Sequence, residues 1–123
     1  MGSELGEENQ ITDPEQNNSK ERKNMTINKN ANGTLTTLEI IGRLDTTTAP
    51  ELEAAIDGCL ADTQDLVLDF HGLEYISSAG LRVLLKAQKS MAKKGSMKVL
   101  NVNETIMEVF EITGFSDILT IEN

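Results

Sequence analysis

The sequence predicts an α/β domain in which a mixed β-sheet carries its helices mainly on one face. Short runs of β-branched and apolar residues alternate along the chain with longer segments in which apolar residues recur at helical spacing. The run at residues 66–70 is almost wholly apolar, which is typical of a central strand covered on both faces. Together these patterns predict the element order ββαβαβαβ.

The first two strands are expected to form an antiparallel hairpin. Residues 25–30 and 34–41 are the candidate strands, and in the second one β-branched and apolar residues alternate with polar ones. Between them lies Asn32-Gly33, a dipeptide that favours a two-residue turn.

Helix-end signals mark three helices. The first begins near Pro50, because proline lacks the N–H that would be unpaired in a first helical turn, and ends near residue 59. The second spans about residues 78–93, and the third spans 104–113 before Gly114. Strands at residues 66–70, 97–102 and 119–121 alternate with these helices, so we expect parallel pairs joined by right-handed crossovers.

Composition limits the possible function. The chain has 123 residues, with a polar segment at 1–23 that is too poor in apolar residues to fold alone and one domain expected at 24–123. The formal net charge of −9 argues against direct binding to nucleic acid or to anionic membranes. No apolar run approaches the roughly 18 residues of a membrane span. A single cysteine, Cys59, fits a cytoplasmic protein, which we expect to be a monomer when free.

No motif predicts an enzyme, a cofactor or a metal. His71 is the only histidine, so the sequence has no cluster of histidines and cysteines for a metal. Neither G-x-x-x-x-G-K-[ST] nor G-x-G-x-x-G occurs, and residues 76–80 lack the G-x-S-x-G elbow of a hydrolase. The sequence therefore favours a binding module.

Two serines, Ser77 and Ser78, stand where the second helix is expected to begin. The first N–H groups of a helix have no intrahelical partner, and the helix dipole favours negative charge there. A phosphate on either hydroxyl would be well placed and would change the surface charge strongly. The alternative interpretation of Ser78 is an ordinary helix N-cap.

Two acidic residues could act beside those serines. Asp45 lies in an expected loop with three threonines, so it is either a turn or cap acid, or an acid that bonds a free serine hydroxyl and repels a phosphate. Asp69 ends the apolar strand and could cap the loop that we expect to follow it, or satisfy backbone N–H groups near the serine loop.

Residues 66–70, followed by Tyr75-Ile76-Ser77-Ser78-Ala79-Gly80-Leu81, resemble the signature of the STAS domain, and more narrowly that of single-domain bacterial anti-sigma factor antagonists. The segment Gly42-Arg43-Leu44-Asp45, followed by residues 48–52, matches a second recurrent loop of that family. The resemblance covers about residues 24–122.

The resemblance implies a partner-switching cycle. The unphosphorylated antagonist binds an anti-sigma factor that is itself a serine kinase, which frees a sigma factor. The kinase then phosphorylates the antagonist, and a metal-dependent serine phosphatase reverses the change. The phosphate acceptor maps to Ser78, with Ser77 as a second candidate where many members carry an acid, and the loop acid maps to Asp45.

The expected docking surface surrounds Ser78 and includes residues 71–77 and the first turns of the following helix. The residues assigned to it are Asp45, Thr46, Asp69, Tyr75, Ser77, Gly80 and Arg82. The alternative is a non-switching STAS module that binds a ligand or a partner in a larger assembly for lipid transport or stress sensing.

Overall fold

A computed structural model describes residues 25–122, which form one five-stranded sheet with three α-helices. The strands are β1 (Met25–Asn32), β2 (Leu35–Leu44), β3 (Asp65–Ile76), β4 (Ser96–Leu100) and β5 (Ile121–Glu122). The helices are α1 (Ala49–Cys59), α2 (Ser78–Ala92) and α3 (Glu104–Thr113), with short 3-10 turns at Leu60–Asp62 and Phe115–Asp117. The predicted order ββαβαβαβ is confirmed. The predicted tail at 1–23 lies outside the described residues.

The sheet is mixed, with spatial order β1-β2-β3-β4-β5. β1 and β2 form the predicted antiparallel hairpin, and Gly33 takes the positive φ (65°) that its turn needs. The other three pairings are parallel. None of the helices within residues 25–122 is long and apolar enough to cross a membrane.

The helices cover one face of the sheet, as the sequence predicted, and the other face is open. On β3, Leu66, Leu68 and Phe70 are buried, whereas Val67 and Asp69 between them are only half-buried. The expectation that this strand is covered on both faces was therefore wrong. The largest fully buried side chains lie on the covered side, and each contributes about 1.5–3 kcal/mol; they are Phe70, Phe110, Leu38, Ile40, Leu44, Leu52, Leu66, Leu68, Leu73, Leu84, Met91 and Ile106.

β2 and β3 are longer than predicted. The expected loop at residues 71–75 is strand, and β2 continues to Leu44. Register shifts between Glu39 and Ile41 and between Gly42 and Arg43 let the pairing go on past the irregular positions, as β-bulges do. The two strands therefore end together, with Leu44 opposite Ile76. β4 ends earlier than predicted, at Leu100, and β5 starts later, at Ile121.

The connection between α2 and β4 leaves no space for a side chain at Gly95. A Cβ at Gly95 would lie 1.7 Å from the carbonyl oxygen of Gln64, and the next residue, Ser96, donates its N–H to that same oxygen at 2.8 Å. Gly95 was predicted as a helix stop. Its role in the structure is to let α2 turn into β4 against the residue that precedes β3.

Replacing Gly95 by alanine should lower the free energy of unfolding by at least about 2 kcal/mol, because two backbone segments must separate to admit the methyl group. Gly58→Ala is the matched control, since a Cβ there meets nothing within 4 Å and alanine favours the helix. Urea denaturation of both variants measures the difference. Equal stability of the two variants would contradict the close approach at Gly95.

Candidate functional site

The site begins with two serines that play different structural roles. Ser77 is the N-cap of α2: its backbone is extended (φ −101°, ψ 175°), and its hydroxyl accepts the N–H of Gly80 at 3.4 Å. Ser78 is the first helical residue. Its side chain is exposed, and its hydroxyl has no hydrogen-bond partner within residues 25–122. The cap is therefore Ser77, and the Ser78 hydroxyl is left free.

The paired ends of β2 and β3 bring the Asp45 loop to the serines. Leu44 lies opposite Ile76, and the Ser77 N–H donates to the Leu44 carbonyl oxygen at 2.9 Å. Asp45 follows Leu44 directly, just as Ser78 follows Ser77. The predicted neighbours Asp45 and Ser78 thus flank one backbone hydrogen bond.

Asp45 is held in place by its own loop. Its Oδ1 atom accepts the Thr47 hydroxyl at 2.7 Å, the Thr47 N–H at 3.0 Å and the Thr48 N–H at 3.2 Å. The Asp45 N–H in turn donates to the Thr48 hydroxyl at 2.8 Å, and that hydroxyl donates to the Arg43 carbonyl oxygen at 2.8 Å. The bond from the Thr47 hydroxyl is the main cause that lowers the pKa of Asp45 below its ordinary value, and the loop N–H groups add to it despite partial burial. The Asp45 carboxylate is therefore fixed within the loop that the bond between Ser77 and Leu44 brings to the start of α2, with Arg43 Nε 4.0 Å from its Oδ2 atom.

Gly80 allows α2 to begin close to these strand ends. It is buried, and a Cβ there would lie 2.7 Å from Leu44 Cγ and 2.9 Å from Ile76 Cγ1. Gly80 was assigned to the docking surface. Because it is buried, it positions the helix and presents no side chain outward.

Three of the other assigned residues, Tyr75, Arg82 and Thr46, are exposed. Tyr75 is 40% exposed, and its ring carries the Arg43 guanidinium 4.3 Å from the ring centroid, a cation–π contact. Arg82 lies one helical turn after Ser78. Arg82 and Thr46 line a shallow groove between α1 and α2, together with Pro50, Ala79 and Lys86.

Arg43 and the threonines at 47 and 48 were not among the assigned site residues. Arg43 lies opposite Tyr75 in the parallel pairing, which continues through a register shift that the sequence does not reveal. The Asp45-Thr46-Thr47-Thr48 run, by contrast, is a local signal, because Asp and Thr side chains commonly bond nearby backbone N–H groups.

Asp69 is not brought to the serines. Since β3 runs on to Ile76, Asp69 lies on the order of 20 Å back along the strand. It bonds the Asn101 amide at 3.0 Å and the His71 N–H at 3.0 Å. Burial tends to raise the pKa of Asp69, but these hydrogen bonds outweigh burial and lower it. The predicted capping role near the serines was wrong, because no loop follows this residue.

Comparison with known proteins agrees with this architecture. The model of the STAS domain family matches residues 25–123. The anti-sigma-B factor antagonist of Listeria monocytogenes is 34% identical over 86 residues, which are 68% of this chain and 75% of that protein. The BtrV protein of Bordetella bronchiseptica is 39% identical over 74 residues, and the match spans only 61% of its length and 59% of this chain.

The fold is also that of a solved antagonist. The unphosphorylated form of SpoIIAA superposes with a TM-score of 0.70 at 18% identity, covering 80% of this chain and 89% of that one. Its phosphorylated form, from Bacillus, superposes with a TM-score of 0.64. The antagonists form a family of non-enzymatic regulators. The chain belongs to the STAS domain family, and within it to the anti-sigma factor antagonists.

Proposed function

We propose that this protein binds an anti-sigma factor in its unphosphorylated form and is released when Ser78 is phosphorylated. The observation that carries the proposal is the exposed, unbonded hydroxyl of Ser78 on the first residue of α2. The Listeria relative is an anti-sigma-B factor antagonist by name, and SpoIIAA has been solved with and without phosphate. The proposed partners are an anti-sigma factor that is a serine kinase and a metal-dependent serine phosphatase.

The difference between the two serines supports Ser78 as the acceptor. A kinase must place the hydroxyl against its own catalytic groups and the γ-phosphate of ATP. The Ser78 hydroxyl is free to do so. The Ser77 hydroxyl is half-buried and already accepts the Gly80 N–H as the cap of α2, so a kinase reaches it less easily. Ser77 remains the second candidate.

Phosphate at Ser78 would act through charge. It adds about −1.5 to −2 charges at neutral pH. The helix N-terminus and Arg82 favour that charge in the free protein, whereas the neighbouring Asp45 carboxylate repels it. In the complex the phosphate must also lose its water within the interface, which is costly unless a cation of the partner pairs with it. Binding is weakened without a change of fold.

The docking surface that we propose consists of the Asp45 loop with Thr46, the Tyr75 ring and the exposed side of α2 at Ser78 and Arg82. Thr46 and Arg82 line the groove between α1 and α2, and the Leu44–Ile76 pairing brings the Asp45 loop to the start of α2. Asp69 is left out because it lies elsewhere on β3.

Substitution of the two serines should separate switching from capping. Ser78→Asp should weaken binding to the cognate anti-sigma factor at least about tenfold, since a desolvated charge costs more than 1.4 kcal/mol. Ser78→Ala should bind and should not accept phosphate. Ser77→Ala, the matched control, should still accept phosphate but should lose about 1 kcal/mol of stability with its cap. Calorimetry, radiolabelled phosphate transfer and urea denaturation measure these quantities.

Phosphate transfer that survives in Ser78→Ala and stops in Ser77→Ala would reverse the assignment. A Ser78→Asp variant that binds as tightly as the wild type would support the non-switching module instead.

The Asp45 loop should depend on pH. Because the pKa of Asp45 is lower in the folded protein, the stability that its carboxylate confers is present above the ordinary pKa of 3.8 and is lost as pH falls through the lowered value. The difference in unfolding free energy between wild type and Asp45→Asn should therefore be larger at about pH 7 than at about pH 3. Urea denaturation at both pH values measures it. The control is Asp62→Asn, an exposed acid without a hydrogen-bond partner within residues 25–122. An Asp45→Asn difference that is the same at both pH values would contradict the loop geometry.

A further inference from the structure

The open face of the sheet holds a compact group of polar side chains at its centre. Glu39 on β2 lies opposite Asp69 on β3, and His71 is the next residue of β3 on that face. His71 Nε2 is 3.2 Å from Glu39 Oε2, and His71 Nδ1 is 3.2 Å from Asp69 Oδ1. One potential ligand atom from each of the three residues lies within 4.8 Å of the other two.

Two carboxylates face each other here without a lysine or an arginine. Across residues 25–122, the ion-pair partner of both Glu39 and Asp69 is His71 alone. Like charges placed directly opposite each other on neighbouring strands destabilise a sheet. The arrangement therefore calls for a positive charge between them.

Outer hydrogen bonds orient all three side chains. The Asn28 amide donates to Glu39 Oε1 at 2.7 Å, and the Asn101 amide donates to Asp69 Oδ1 at 3.0 Å. Asn101 itself has a left-handed backbone (φ 58°), which few residues other than glycine adopt readily. The contact between His71 Nδ1 and Asp69 Oδ1 is of the carboxylate–histidine kind that supports metal-bound imidazoles, and it directs Nε2 towards Glu39.

We propose that Glu39 Oε2 and His71 Nε2 bind a divalent transition metal ion of the zinc type, and that Asp69 positions the imidazole through its Nδ1 atom. Ligand bonds of about 2.0–2.1 Å at tetrahedral angles place neighbouring ligand atoms about 3.3 Å apart, close to the observed spacing of Nε2 and Oε2. An imidazole nitrogen with carboxylate oxygens favours zinc-type ions over Mg²⁺ or Ca²⁺, which prefer oxygen ligands alone. The ion would link β2 to β3 and leave coordination positions open towards solvent. The site is separate from Ser78 and does not depend on the proposed switch.

The chain offers a clean probe of this site because His71 is its only histidine. Titration of the full-length protein with ZnCl₂, followed by NMR of the imidazole protons, should show a saturable shift at about one equivalent of zinc. Glu39→Gln and Asp69→Asn should each weaken the affinity by about tenfold or more. Glu74→Gln changes an exposed acid on the same strand and should leave the affinity unchanged. Circular dichroism checks that each variant is folded.

An imidazole signal that does not move with millimolar zinc would overturn the proposal. So would an affinity that is the same in Glu39→Gln, Asp69→Asn and the wild type, because His71 alone would then bind the ion. If Glu39→Gln or Asp69→Asn unfolds, melting temperatures with and without zinc test the site instead. Zinc should raise the melting temperature of the wild type and not that of His71→Gln. Equal increases in both would count against the site.

Discussion

The candidate switch depends on the parallel pairing of β2 and β3 right up to their carboxyl ends. That pairing places Leu44 opposite Ile76 and lets the Leu44 carbonyl oxygen accept the N–H of Ser77. Because this bond joins the residue before Asp45 to the residue before Ser78, it fixes the loop acid and the serine relative to each other. The absence of a side chain at Gly80 then lets α2 start in close contact with Leu44 and Ile76. Without this pairing, neither the position of the helix N-terminus nor the charge beside it would be defined.

The two faces of the sheet have different structural roles. The covered face supplies the apolar core, on which the positions of α1 and α2 depend. The open face is free of that task and carries polar side chains at its centre, among them Glu39, Asp69 and His71. One small domain can thus present the exposed Ser78 hydroxyl at one end and, on its open face, a separate group of carboxylate and imidazole side chains that could bind a metal. A change on the open face should leave the switch intact.

The element order and the helix ends could be predicted because their signals are local. Pro50 lies in the first turn of α1, and Gly114 follows α3 with a left-handed backbone (φ 84°). The ends of the strands could not be predicted, because β2 and β3 continue through register shifts that depend on the partner strand. For that reason Asp69 was predicted too close to the serines, and the contact between Arg43 and Tyr75 was missed. Glu39 and Asp69 alternate with apolar residues in the sequence, a pattern that indicates a face open to solvent. The apolar residue Val67 on the same face obscured this pattern.

The central claim is that Ser78 carries the regulatory phosphate. Mass spectrometry of the full-length protein, purified from the cells that naturally make it and analysed before and after phosphatase treatment, tests this claim most directly. We expect a single phosphate on Ser78 that the phosphatase removes. Phosphate on Ser77 alone, or a protein that carries none under any growth condition, would contradict the account.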